Sequence, residues 1–242
     1  MNINKTNPLL LHPLNPWMEK KNWSWFKHQI ETFEAVKKGS DVVVFAPTGA
    51  GKTLTGFINP LEDLIASKEF KGLHTIYISP LKSLANDIVR NLEKPIKDLN
   101  LKITFEVRSG DTTAYKRQQQ KKRPPNILVT TPESLALLNS YEDANVFFQN
   151  LKFIIIDEIH TFLDNKRADL LSLNIERLQT ISPHLQRIGL SATLKNKQDA
   201  KKWLCRKKSK IISLEKSTLP KIKILKSKER IPWSGHMATY AI

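Results

Sequence analysis

From about residue 41 onward, short apolar runs rich in β-branched residues alternate with longer segments in which apolar and polar positions recur at helical spacing. That alternation predicts βαβ units built around a buried, mostly parallel sheet with helices on both faces. The strands are expected at Val42 to Phe45, Thr75 to Ser79, Ile103 to Val107, Asn126 to Thr130, Phe153 to Asp157 and Arg187 to Ser191. Each is followed by a helix-compatible stretch, so the fold class expected is α/β. Ligands of open α/β sheets gather at the carboxyl ends of the strands, and the residues just beyond these runs are the first place to look for chemistry. After Ser191 the pattern weakens: "KKWLCRKKSK" can finish a helix and "IISL" can form a last strand. The segment "YKRQQQKKRPP" reads as a charged helix end or loop, stopped by Pro124 and Pro125.

A chain of 242 residues accommodates one large α/β domain with a tail. Its 39 Lys and Arg against 23 Asp and Glu give a net charge of +16, which favours a polyanionic partner such as nucleic acid or an anionic membrane. No apolar run has the ~20 residues needed to cross a bilayer, and the N-terminus lacks the apolar core of a signal peptide. A cytoplasmic protein without a membrane association is therefore expected. Cys205 is the sole cysteine, so an internal disulfide and a cysteine-based zinc site are excluded, and an inert thiol is expected.

Directly after the first strand stands "APTGAGKT", Ala46 to Thr53. Gly49 and Gly51 permit a tight turn whose N–H groups point at phosphate oxygens, and the following helix would aim its positive end at the same anion. Lys52 is placed to reach the β and γ phosphates, and Thr53 to offer a hydroxyl to Mg²⁺. Ala46 stands where the general phosphate-loop pattern has glycine. A glycine-rich turn with an incidental surface lysine is the alternative. Later in the chain "FIIIDEIH" carries two carboxylates off the end of a strand. Asp157 is suited to Mg²⁺ beside Thr53, and Glu158 to orienting and deprotonating an attacking water. His160 could couple this site to neighbouring segments, although a lone histidine is more often structural.

With both segments placed, the chain resembles the superfamily 2 helicases of the DEAD/DEAH type, and within them the large helicase-related (Lhr-like) family. "ISPLKSLANDIVRNL" is similar to that family's motif Ia, "RSGDT" to its GDT-type element, "TTPESL" to motif Ib and "SAT" to motif III. The resemblance covers about residues 25 to 205 and implies a RecA-like P-loop NTPase domain. It implies ATP and Mg²⁺ as cofactors, held by Thr48, Gly49, Ala50, Gly51, Lys52, Thr53 and Leu54, with Gln29 reading adenine. For Gln29 an ordinary exposed helix position is the competing reading. It implies a nucleic-acid path along Pro80, Leu81, Lys82, Arg90, Gly110, Asp111, Thr112, Thr130, Thr131 and Pro132. Strand-end amides, threonine hydroxyls and cations at such positions can follow a sugar-phosphate backbone without reading bases. Thr131 and Pro132 also suit a helix N-cap and first turn, which would explain them without a ligand. Ser191, Ala192 and Thr193 would link the γ-phosphate to that path, or be satisfied by backbone bonds alone.

The resemblance favours DNA over RNA and a 3′-to-5′ polarity. It divides the chain into an N-terminal extension (1–22), an ATP-binding domain (23–215) and a basic linker (216–242) leading towards a second RecA-like domain. A ligase-associated DEXH subgroup is a further placement that it suggests. After "SAT" there is no "QxxGRxxR"-like segment to supply the arginines of a second domain. A fragment, one half of a split gene whose second helicase half is a separate partner chain, or a truncated product is therefore expected, with little hydrolysis without the second half, since such arginines contribute ~10³ to 10⁵ in rate. Two readings compete: a non-catalytic nucleic-acid-binding module that keeps the motor fold, and a small-molecule P-loop kinase, for which the +16 balance has no use.

Overall fold

The computed structural model describes residues 7–80, 82–163, 165–192, 196–206 and 208–214, with 82–87 described by their backbone. The linker proposed at 216–242 and the site candidates Leu81 and Thr193 lie outside the described residues. The strands are β1 (Asp41–Phe45), β2 (Thr75–Ile78), β3 (Phe105–Arg108), β4 (Ile127–Thr130), β5 (Phe153–Ile156), β6 (Gln186–Ser191) and β7 (Ser209–Ser213). They form a seven-stranded sheet in the order β3-β4-β2-β5-β6-β1-β7, with every neighbouring pair parallel. The expected fold class stands. β3 begins later than expected, at Phe105, as the neighbour of β4 at one edge of the sheet.

The alternation along each strand divides the core between two faces. On one face Val42, Val44, Tyr77, Ile155 and Leu190 pack against α2 (Lys27–Lys37), α3 (Lys52–Ala66) and α4 (Lys82–Asp98). On the other, Val43, Ile76, Ile78, Ile154 and Ile156 meet α6 (Pro132–Asn139), α7 (Ala144–Phe148), α8 (Lys166–Ile181) and α9 (Lys197–Leu204). Runs such as "FIII" are buried on both sides, as parallel strands between helical layers require. α9 approaches β6 so closely that a Cβ on Gly189 would come within 2.7 Å of Leu204. The "YKRQQQKKRPP" segment supplies most of a complete helix, α5 (Ala114–Lys122), capped by the Thr113 hydroxyl and ended before the prolines.

Ahead of the phosphate loop, a 3₁₀ turn (Pro8–Leu11) and α1 (Asn15–Lys20) lie against α2, α3 and α4. Leu9 is fully buried with Phe33 and Ile58, and His12 hydrogen-bonds the Ile58 carbonyl at 3.0 Å. The Trp17 indole donates to Asp98 of α4 at 2.8 Å. This segment therefore belongs physically to the packed body and walls part of the site described next.

Candidate functional site

β1 ends at Phe45, and the Ala46 amide still bonds the Ser191 carbonyl at 3.1 Å, continuing the pairing of β1 with β6. Ala46 is buried there without strain, so glycine is not needed at this position. The chain then turns through Gly49 and Gly51, both left-handed at φ 84° and 70°. Gly51 immediately precedes Lys52, the first residue of α3. A side chain on Gly51 would be strained by its φ and would place its Cβ 2.9 Å from the Gln29 amide nitrogen. The glycines expected from the sequence are thus required by the backbone, and the N-terminus of α3 opens onto a cavity of about 840 Å³. A volume of that order suits a nucleotide-sized ligand.

Gln29 is buried, contrary to the exposed-helix alternative, and its side-chain oxygen accepts from the Phe26 amide at 3.0 Å. With Phe26, Thr48, Gly49, Lys52 and Thr53 it lines the cavity, and Trp17, Trp23 and the α4 residues Ile88 and Leu92 complete the wall. Beside Gln29, His28 is buried and stacked on Phe26, and burial lowers its pKa.

Across the cavity stand Asp157 and Glu158, carried off the end of β5. Lys52 Nζ lies 3.2 Å from Glu158 Oε1, although 106 positions separate the two residues in the chain. Glu158 has a left-handed backbone, φ 45°, uncommon for a residue with a side chain and a form of strain found at functional sites. His160, in the 3₁₀ turn Ile159–Thr161, has Nδ1 3.0 Å from Ser191 Oγ and 3.3 Å from Glu158 Oε2. His160 and Ser191 thus bring the "DEIH" and "SAT" segments into contact.

Burial, and then the charge of Glu158, raise the pKa of Asp157, opposed by Tyr77 and Lys52. Tyr77 of β2 is fully buried and stacked on Phe57 at 5.2 Å. Its hydroxyl faces Asp157 and Thr53 without a well-formed hydrogen bond to either, and burial, followed by the Asp157 charge, pushes its pKa well up. Thr53 and Asp157 are hard oxygen donors that both line the cavity and both face the Tyr77 hydroxyl, and a desolvated carboxylate is relieved by a bound cation, so the donor set fits Mg²⁺. Among the described residues no group of three His, Cys, Asp or Glu gathers around a metal position. A metal that arrives with phosphates and waters needs none.

The described nucleic-acid candidates follow the exits of β2, β3 and β4, which together make a rim. Pro80 follows β2 and Lys82 opens α4, while Arg90 is exposed further along that helix. Gly110 and Asp111 are exposed in the turn after β3, and Thr112 accepts from the Ser109 amide at 2.9 Å. Arg117, a residue sequence reasoning missed, shapes this turn by donating to the Gly110 carbonyl at 2.7 Å and to that of Ser109 at 3.3 Å. Thr130 departs from expectation: its hydroxyl is buried and donates to the Arg108 carbonyl at 2.8 Å, so it braces the rim and its side chain does not line it. Thr131 is the N-cap of α6 and Pro132 opens the helix, so the local reading of "TTPES" is realised. Also missed was Arg167 of α8, which reaches Glu133 and the Pro80 carbonyl. Its partners are distant in sequence, and no local pattern announces it.

Comparison with known proteins agrees with this geometry. The family model described as DEAD/DEAH box helicase matches residues 26–201. The ATP-dependent helicase Lhr-Core of Methanothermobacter thermautotrophicus is 42% identical over 202 residues, covering 75% of this chain and 23% of the relative. The Mycobacterium smegmatis helicase Lhr, solved with ssDNA and AMP-PNP, superposes with a TM-score of 0.80 at 32% identity, over 87% of this chain and 28% of that one. The DUF1998 helicase MrfA bound to DNA superposes with a TM-score of 0.73 at 25% identity, covering 84% of this chain and 29% of its own. The chain thus spans about a quarter of the length of these relatives. With a phosphate loop facing a strand-end Asp-Glu pair on a parallel sheet and a family match over most of its length, the chain belongs to the DEAD/DEAH box helicases.

Proposed function

We propose that this chain is the first motor domain of an Lhr-like, ATP-dependent helicase that binds ATP with Mg²⁺ and single-stranded nucleic acid, with DNA preferred to RNA. The observation that carries the reading is the meeting of Lys52 and Glu158 at 3.2 Å in a cavity whose other contacts lead, through His160 and Ser191, back into the sheet. The glycine turn and the α3 N-terminus would receive the phosphates, Lys52 would leave Glu158 for the γ-phosphate, and Gln29 would meet the adenine. Thr53 and Asp157 would hold Mg²⁺, which when bound neutralises charge on the phosphate oxygens. Glu158, released from Lys52, would orient the attacking water and accept its proton, and His160 with Ser191 would relay that state towards the rim. Hydrolysis coupled to translocation would need a second RecA-like domain to close on the nucleotide. The preference for DNA rests on the DNA-bound neighbours, and a cytoplasmic setting goes with this reading.

The test is nucleotide binding and ATP turnover with and without single-stranded DNA. Lys52→Ala should weaken nucleotide binding and abolish any stimulated turnover while leaving strand affinity in place. Nucleotide affinity indifferent to Lys52→Ala would sink the assignment. Strand affinity should fall with salt, log against log, at a slope of about −0.7 per phosphate contact, and a flat response would exclude nucleic acid as the partner.

A further inference from the structure

A set of hydrogen bonds runs from the Glu158 backbone to the start of α8. The Glu158 carbonyl accepts from both the amide and the hydroxyl of Thr161, each at 2.8 Å. The Thr161 carbonyl accepts from the Asn165 side chain at 2.7 Å, and the Asn165 oxygen caps α8 through the amides of Arg167, at 2.9 Å, and Ala168, at 3.2 Å. Arg167 then extends over the Phe162 ring, 5.5 Å from its centroid. Its Nε donates to Glu133 Oε1 at 2.8 Å, and its Nη2 donates to the Pro80 carbonyl at 3.1 Å and to Glu133 Oε2 at 3.4 Å. Pro80 follows β2, Glu133 lies in the first turn after β4, and Arg167 itself follows β5. β2 lies between β4 and β5 in the sheet, so one guanidinium spans the exits of three adjacent strands.

From this geometry we infer that Arg167 is a positioning residue: with Glu133 it fixes the Pro80 and α6 segments of the rim in register with each other and with the segment that carries Glu158. The inference rests on the rim being the nucleic-acid path. A planar guanidinium suits the task because its fork holds a carboxylate on two donors while a remaining N–H reaches the carbonyl, which a lysine cannot reproduce. The pair is substantially exposed, with 39% and 54% of the two side chains accessible, so it adds little to stability and can be altered without unfolding the protein. A cation at this rim could instead touch a phosphate directly, and the acidic partner separates the two roles by sign. If Arg167 touched phosphate, neutralising Glu133 would release the cation and remove a repelling charge, and strand affinity would rise. If Arg167 positions the rim, the same change loosens it and affinity falls despite the more favourable charge.

The experiment measures binding of a fluorescent single-stranded oligodeoxynucleotide by anisotropy at fixed salt for the 242-residue chain and its Glu133→Gln, Arg167→Gln and Arg167→Lys variants. Glu133→Gln and Arg167→Gln should each weaken binding by roughly threefold to tenfold, with Arg167→Lys failing to restore it and melting temperatures within about 2 °C of wild type. Glu133→Gln that binds as tightly as wild type, or more tightly, overturns the inference whatever Arg167→Gln does. A wild-type chain that binds no strand overturns the functional reading beneath it, and the inference falls with it.

Discussion

Glu158→Gln separates the two duties of that carboxylate. In the structure Glu158 holds Lys52 at 3.2 Å, with 25% and 10% of the two side chains exposed. Two unit charges at that distance attract by about 1 kcal/mol in water and about 5 kcal/mol at an effective dielectric of 20. Desolvation of both groups offsets much of the larger figure, leaving a net of about 1 to 2 kcal/mol for the phosphate to overcome when it takes the lysine. Glutamine keeps the size and removes the charge, and with it both the competition for Lys52 and the repulsion of the phosphate. Affinity for a fluorescent non-hydrolysable ATP analogue should therefore rise by about tenfold. If the carboxylate is also the proton acceptor, turnover in the presence of the second domain should drop by about 10² to 10⁴. The gain should shrink in a Lys52→Ala background, because the competition has already been removed there. Equal or weaker nucleotide binding by Glu158→Gln would show that the ion pair does not hold the lysine back, and full turnover would remove Glu158 from the chemistry.

Two further outcomes can be checked on the same protein. Gly51→Ala should cost about 1 to 2 kcal/mol in a urea melt, since an L side chain must adopt φ 70°. Its Cβ also crowds Gln29 at 2.9 Å, so nucleotide affinity should fall as well, and a melt identical to wild type would contradict the strained turn. At the opposite end of the strands His74 is fully buried, 2.8 Å from both Thr75 Oγ1 and Asp63 Oδ2, and burial lowers its pKa to about 4. Between that value and about 6.5 the unfolded chain binds the proton and the folded chain does not. Stability should therefore be complete above pH of about 6.5 and decline by roughly 3 kcal/mol as the pH falls towards 4. Denaturation midpoints measured across this range should flatten in His74→Gln, and an unchanged slope would assign the acid sensitivity elsewhere.

Much of this arrangement was legible because it is local. The β-branched runs marked the strands, and the spacing of Gly49, Gly51, Lys52 and Thr53 is itself the geometry of the turn, since two of these residues need a left-handed backbone. Asp157 and Glu158 were legible for the same reason: they end an apolar strand that must be buried. What escaped notice acts over long sequence distances. Tyr77 looks like another apolar position of β2, and only the packing of α3 on the sheet and the pairing of β2 with β5 bring its hydroxyl to Thr53 and Asp157. Arg167 and Arg117 sit in ordinary charged helices, and their partners are carbonyls and a carboxylate that no pattern of residue types can announce. Thr130 was misjudged because a strand-end threonine can face either way, and the neighbouring Arg108 carbonyl decides the direction.

The wall contributed by the N-terminal segment gives the protein an optical property. Trp17 and Trp23 meet edge to face with ring centroids 5.4 Å apart, and both border the cavity that holds Gln29, Lys52 and Thr53. Indole emission responds to the polarity and rigidity of its surroundings, and under the proposed reading an incoming purine would displace water beside these two side chains and alter their quenching. If the cavity receives the nucleotide as proposed, these two of the five tryptophans should report its arrival as a change in emission on unlabelled protein.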